Sequence, residues 1–416
     1  MIETILKKPV KIGRLELQNR IIIQPMEGCD GKADGGISEL VRRRYLRFAE
    51  SGVGLIWFEA TAVCHEGRAN PRQLYLTEEN KNEFADLVKE IKEASIKKYG
   101  FSPKIILQMT HSGRQSRPNN EIHEPIFASH NEYFNNVKPL NEKSVFASTE
   151  YLNSLPELFV KSAVLAKDVG FDGVDVKCCH GYLFNELLSS YDRTDCYGGE
   201  SIENRARLYL DTYKAVKAAV GDSITVTSRF GAYDGFPYHY GFGVNKDDKE
   251  DLTESYYIID KLREYGLELL NITIGNPYVN PHVNRPYCTN SPEDGKIGVN
   301  RIRRITAQIQ MKYPDLAVVM SGMTYQGTES LKDAESCISD KKCTLVGFGR
   351  MAFAYPQFFV DYLNNGEIDK NKICLACGNC SKMMRAGSVA GCPMRDKEVY
   401  LPIFKELFKN SQGVKS

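Results

Sequence analysis

Residues 173–180, GVDVKCCH, and residues 203–230, ENRARLYLDTYKAVKAAVGDSITVTSRF, together read as a strand, a helix and the next strand. GVDV and ITVTS are short and β-branched without strict alternation, the pattern of strands covered on both faces. Between them Tyr209, Tyr213, Val216 and Val220 recur every three or four residues with charges interspersed, the amphipathic helix signature.

The same unit repeats in both directions along the chain. NRIIIQPM, VGLIWFEAT and KIILQMT precede it, while LELLNITIG, LAVVMSGM and CTLVGFGR follow. Segments such as SELVRRRYLRFAESG and DLTESYYIIDKLREYG supply the helices. Eight β/α units in series predict an α/β fold, a parallel (β/α)8 TIM barrel. An open doubly wound sheet competes, but no Gly-rich dinucleotide turn follows the first strand.

In a barrel the polar strand ends gather at one face, where the active site forms. Segments 114–149 and 231–250, rich in Pro, Asn, Gly, Tyr and Asp, are expected as long loops over that face, with 276–298 also shaping the pocket. Residues 1–365 are expected to form the barrel, and 366–416 a Cys-bearing extension with a short helical tail.

The 416 residues carry 54 Lys+Arg against 53 Asp+Glu, a net charge of +1, so neither nucleic acid nor a membrane surface is suggested as partner. The opening MIETILKKPVKIGRLELQNR has no long apolar core or cleavage site, and no later run is long enough to span a membrane. Twelve cysteines, several within strand-like runs, read as reduced thiols. A soluble, cytoplasmic protein is expected, with room for homo-oligomers.

The strand ends carry ordered motifs: NRIIIQPM (19–26), QMTHSGR (108–114), Arg229 in TSRF, and GFGR (347–350). With the opening stretch, these resemble the old yellow enzyme family of FMN-dependent oxidoreductases over most of residues 1–360. The resemblance implies an FMN phosphate held by Ser321, Gly322, Gly349 and Arg350, where glycine permits close backbone approach and Arg can grip oxygens bidentately. Arg229 would stabilise the charge on the reduced ring, Gln108 would hydrogen-bond the same edge, and Pro25, Met26 and Ala60 would touch the ring.

The resemblance also accounts for the side chains released after GVDV. Reducing an activated C=C bond needs donors for the carbonyl oxygen and an acid for the carbon. At the family's positions stand Lys177 and His180 as donors and Tyr182 as acid. Lys177 replaces the usual His, a flexible point charge that would favour more anionic substrates. Glu27 stands where relatives carry a small, neutral or thiol side chain, and Glu200 is extra in RTDCYGGESIENR. In that stretch Arg193, Asp195, Gly198, Gly199, Asn204 and Arg205 are expected to hold a loop, a structural duty.

Cys374, Cys377, Cys380 and Cys392 are crowded into CLACGNCSKMMRAGSVAGC. Thiolates so spaced usually meet a soft metal centre. The motif resembles that of the dienoyl-CoA reductase and trimethylamine dehydrogenase subfamily, which implies a [4Fe–4S] cluster. A structural zinc or free thiols are the alternatives. No G-x-G-x-x-G follows, so a cluster would serve an electron-carrier protein or be structural.

The expected activity is reduction of an unsaturated carbonyl compound with NAD(P)H, or an electron carrier, as donor. Two rivals are a Schiff-base lyase using Lys177 and a non-catalytic iron–sulfur electron-transfer or redox-sensing protein.

Overall fold

The computed structural model describes residues 2–119 and 122–409. Its centre is a closed barrel of eight parallel strands. In chain order these are β1 (Ile21–Ile23), β2 (Leu55–Ala62), β3 (Lys104–Thr110), β4 (Gly173–Val176), β5 (Thr225–Gly231), β6 (Leu269–Thr273), β7 (Ala317–Met320) and β8 (Leu345–Phe348). β8 closes on β1, Val346 lying opposite Ile21. Six fall within the expected runs, and β2 and β5 extend one residue past theirs, to Ala62 and Gly231.

A longer helix follows each strand: α1 (Glu39–Ala49), α2 (Lys81–Tyr99), α3 (Thr149–Asp168), α4 (Arg207–Val220), α5 (Thr253–Glu264), α6 (Gly295–Lys312), α7 (Ser330–Ser339) and α8 (Phe358–Asn365). Side-chain oxygens accept from otherwise orphaned first-turn amides: Ser38 from Val41 N on α1, Ser148 from Tyr151 N on α3.

Strand alternation divides the core in two. Ile21, Ile23, Ile56, Phe58, Ile105 and Leu107 face out beneath the helices, while Ile22, Leu55, Trp57, Ile106, Leu269 and Val319 fill the barrel interior. An antiparallel hairpin, Val10–Ile12 with Leu15–Leu17, joins that inner layer through Ile12, Leu15 and Leu17 and plugs the barrel's lower end. The hairpin was not foreseen, since three-residue strands leave too little pattern to read.

Segment 114–149 holds more structure than the expected loop: Ile126–Phe127 pairs in parallel with Val145–Phe146, and a short helix spans Glu132–Val137. Elements this short show no periodicity in sequence. Segment 231–250 is mostly turns, tied by an isolated bridge between Val244 and Glu250.

Beyond α8 the chain folds back over the barrel mouth, with short helices at Asn379–Arg385 and Tyr400–Leu407. Ala390 N donates to Gly28 O at 2.6 Å, and Arg43 and Arg47 both reach Asp396. Residues 410–416 of the expected tail lie outside the described residues. Among the described residues no helix is long and apolar enough to cross a membrane.

Candidate active site

All twelve residues singled out for flavin and substrate converge on one cleft at the C-terminal ends of the strands. It encloses about 1090 Å³ of empty space, its open mouth included. Pro25, Met26, Ala60 and Gln108 line one side; Ser321, Gly322, Gly349 and Arg350 line another; Lys177, His180 and Tyr182 arrive from β4.

Local backbone features aim these groups. A register shift in β2 between Phe58 and Ala60 frees Glu59 to bond Arg44 and Gly28 N while Ala60 faces the cleft, as bulges beside active sites do. After β4, His180 and Gly181 both adopt left-handed backbone at φ +68°, a costly conformation for His that turns its ring away from the strand.

Asp175, fully buried in β4, organises the floor. It accepts from Trp57 Nε1 at 2.7 Å, Gln108 Nε2 at 2.7 Å and Arg229 N at 2.6 Å. With its amide nitrogen engaged there, Gln108 offers Oε1 to a ligand. Burial pushes the Asp175 carboxyl up to about 6, against the pull of those donors and the Arg229 charge. An acid inside an apolar strand was a readable anomaly that the motif reading passed over.

Arg229 lines the cleft, its buried Nε without a partner among the described residues. A buried cation lacking a counterion is costly, so an electron-rich ligand edge fits this position. Gly322, at φ +93°, and Gly349 complete the opposite wall; a Cβ on Gly349 would stand 2.7 Å from Met26 Sδ. Arg350 donates to Pro286 O at 2.6 Å. Cations and closely approached backbone are what a flavin with its phosphate requires, so the residues fit FMN.

In the segment after the neighbouring strand β4, beside Arg229, lie the donors. Asn284 Nδ2 donates to Ile274 O at 2.9 Å and stands 3.0 Å from His180 Nε2. That makes Nε2 the acceptor and leaves the imidazole proton on Nδ1. Burial, then the charges of Arg229, Lys177 and Arg285, hold the His180 pKa well below 6.5, so the ring is neutral. Lys177 Nζ sits 3.8 Å from the Tyr182 ring centroid, and its pKa is lowered by burial. The Tyr182 hydroxyl is 2.9 Å from that of Tyr278, and burial keeps both protonated.

Glu27 also lines the cleft, accepting from Gln73 Nε2 at 2.8 Å; burial raises its pKa and Lys177 opposes that. Tyr278, Asn284 and Arg285 were missed individually. They lie in segment 276–298, where loop composition marks a pocket wall but no particular side chain. Arg114, by contrast, points away from the cleft to Glu186, Asn135 and Ser129 O. The loop residues keep their structural duty: Arg193 ties Asp195 to Ala128 O and Ala147 O, and Arg205 reaches Glu254.

The four cysteines lie together in the chain that crosses the mouth. Cys380 lines the cleft itself, Cys392 is buried, and burial raises the Cys374 pKa, with Cys380 and Cys377 near enough to add to it. Among the described residues no three His, Cys, Asp or Glu side chains stand close enough to hold one metal ion.

A family model described as NADH:flavin oxidoreductase / NADH oxidase family matches residues 6–366. An NADPH dehydrogenase of Geobacillus sp. (strain WCH70) is 30% identical over 319 residues, 74% of this chain and 85% of that protein. An NADH oxidase of Thermoanaerobacter brockii is 28% identical over 374 residues, 88% of this chain but 52% of its own length. Among solved structures, a 2-naphthoyl-CoA reductase in complex with 2-naphthoyl-CoA superposes with a TM-score of 0.77 at 17% identity, covering 97% of this chain and 58% of that one. That likeness speaks for the fold.

Proposed function

Because the chain belongs to the NADH:flavin oxidoreductase / NADH oxidase family, the old yellow enzyme family, and is an FMN-dependent NAD(P)H oxidoreductase, we propose that it reduces the activated C=C bond of an unsaturated carbonyl compound. The observation that carries this reading is the convergence on one cleft of Arg229 and Gln108 with the Lys177, His180 and Tyr182 donors from the strand between them.

Arg229, Gln108, Gly322, Gly349 and Arg350 would hold FMN, which when bound supplies hydride transfer from NAD(P)H to the substrate. His180 Nδ1–H would donate to the carbonyl oxygen as it gains negative charge, with the Lys177 ammonium adding a positive field. Tyr182 O–H would deliver the proton to the other carbon and regain one through Tyr278. Pro25, Met26 and Ala60 would exclude water from the slot.

The Cys374, Cys377, Cys380 and Cys392 set is read as the ligand set of a [4Fe–4S] cluster. In a cluster each thiolate bonds a different iron and the sulfurs stand apart, whereas zinc draws four thiolates to one point. The nearness of Cys374 to Cys377 and Cys380, and of Cys392 to Cys374 and Cys380, supports one shared centre. An electron-carrier protein as partner belongs to the same reading, as do residues 1–365 acting as the barrel and 366–416 as its Cys-bearing extension.

The test is anaerobic purification, a visible spectrum, and turnover of cinnamaldehyde with NADPH and NADH. A flavin spectrum with enal-dependent oxidation of the nicotinamide supports the reading; a flavin reduced by nicotinamide and inert toward every enal and enone overturns it. Borohydride trapping on Lys177 without flavin would instead bring back the Schiff-base lyase.

A further inference from the structure

A second cleft opens beside the first, enclosing about 940 Å³ with its mouth. The two share Glu27, Tyr278 and Met384 as a common wall. Arg117, His123, Lys138 and Arg385 line the second cleft. Lys138 Nζ donates to Gln115 Oε1 at 2.7 Å and stands 5.7 Å from the Tyr278 ring centroid. Arg385 donates to Pro277 O at 3.1 Å.

Among the described residues none of Arg117, Lys138 and Arg385 has a carboxylate within ion-pair distance, whereas Arg42, Arg43, Arg263, Arg303 and Arg304 each meet one. With 53 acids in the chain, a shortage of acids does not explain the gap. Among the described residues Arg117 Nε and His123 Nδ1, both buried, meet no hydrogen-bond partner. Buried polar groups left open in a cleft mark a place where a ligand completes the set. Among the described residues the acids nearby are committed elsewhere: Glu27 to Gln73, and Glu124 to Asn119 and Lys143.

We infer that this second cleft is an anion subsite, which selects unsaturated carbonyl substrates carrying a carboxylate or phosphate a short chain away from the reducible bond. The inference rests on the activity proposed above and adds the substrate class. Its geometry follows from Tyr278, whose hydroxyl meets Tyr182 on one side and whose ring meets Lys138 on the other. A substrate with its double bond at Tyr182 therefore passes Tyr278 to bring its anion to Lys138 and Arg117. Arg117 can grip two oxygens at once, while Lys138 acts as a point charge. Burial, reinforced by Arg117 and Arg114, lowers the Lys138 pKa to about 7, and an anion relieves that cost.

The test uses the flavin-loaded enzyme and three matched probes: cinnamaldehyde, its 4-carboxy derivative and its 4-phosphonooxy derivative. Wild type should favour at least one charged probe over the neutral one in kcat/KM by about 10-fold or more. Lys138→Gln and Arg117→Gln should each erase about 10-fold of that preference, the loss falling on reoxidation of the flavin by substrate. The carboxy and phosphonooxy arms tell which anion the cleft takes. No preference in wild type overturns the proposal, as does a loss confined to flavin reduction by NAD(P)H, which would assign the cations to the donor's phosphates. Calorimetric titration with inorganic phosphate and acetate needs no turnover. Binding weakened by the Lys138→Gln/Arg117→Gln pair upholds the subsite even if no enal is reduced, and no binding by wild type overturns it even if enals are.

Discussion

Tyr182 and Tyr278 meet hydroxyl to hydroxyl at 2.9 Å inside the cleft, one from the segment after β4 and the other from the segment after β6. Burial holds both pKa values above the ordinary tyrosine value, so each is a neutral O–H at physiological pH. The pair is a donor with a second donor behind it. Tyr182→Phe should slow flavin reoxidation by an enal about 10²–10⁴-fold, the usual worth of a positioned acid, with flavin reduction by NAD(P)H changed only a few-fold. Tyr278→Phe should cost about 10-fold in the same step, because Tyr182 keeps its proton but loses its buried partner. Stopped-flow spectroscopy of the two half-reactions separates the cases. Equal losses in both would remove Tyr182 from the acid role.

Arg229 presents a buried guanidinium whose Nε lacks a partner among the described residues, and its backbone N–H is fixed to Asp175 at 2.6 Å. A cation so placed favours the reduced, more negative flavin. Arg229→Gln removes the charge but keeps a donor. A charged hydrogen bond contributes about 1.5–3 kcal/mol, which for a two-electron couple shifts the midpoint potential by about 30–60 mV toward negative values. Spectroelectrochemistry on the flavin-loaded protein reads the shift directly. An unchanged potential would mean Arg229 does not face the ring.

Asp175 ties Gln108, Trp57 and Arg229 N to one carboxylate, and its pKa lies near 6, above the ordinary 3.8. The sign follows from the ionised form being the acceptor. Above about pH 6 the carboxylate accepts all three donors and Gln108 is held; below it a proton competes with one of them. Flavin affinity should therefore fall as pH drops through about 6, and Asp175→Asn should bind weakly with no such inflection. Fluorescence titration with FMN from about pH 5 to pH 8 tests this. A flat wild-type profile would sink the orienting role.

The barrel was legible because its strands are buried on both faces and its helices keep an apolar stripe; neither pattern depends on distant partners. The cleft residues were legible as motifs at strand ends, since the fold itself brings strand ends together. Legibility ended where position depends on loop conformation. Nothing in PYVNPHVNR announces that Tyr278 turns toward Tyr182 and Asn284 toward His180. The N-terminal hairpin escaped for a different reason: Ile12, Leu15 and Leu17 are read as buried only once the barrel end they plug exists.

Arg114 stands in the QMTHSGR motif, yet its role is structural. Its guanidinium bonds Glu186 at 2.8 Å, Asn135 at 2.7 Å and Ser129 O at 2.6 Å, the last two within segment 114–149. Removing one partner of a buried ion pair leaves the other uncompensated, at a cost of about 3–5 kcal/mol. Arg114→Ala should lower unfolding stability by that amount, read by urea denaturation. Arg114→Lys should recover only part of it, because an ammonium lacks the planar fork that reaches three acceptors.

Cys380 lines the flavin cleft while Cys392, buried, sits on the same strap across the mouth, held to the barrel by Ala390 N on Gly28 O. If the four thiolates carry a cluster, anaerobically purified protein should contain about four irons and four sulfides per chain, with a broad absorption that bleaches on reduction. Cys392→Ser should abolish the iron. Because the residues proposed to hold FMN belong to the barrel strands and loops, the flavin should remain. The same variant should destabilise the segment from Cys374 to Asp396 and so expose the Asn379–Arg385 helix to proteolysis. Zinc in place of iron, by metal analysis of protein grown with both metals, would mean that the cysteines converge on a single ion. Flavin lost together with iron would mean that the strap, rather than the barrel, retains the cofactor.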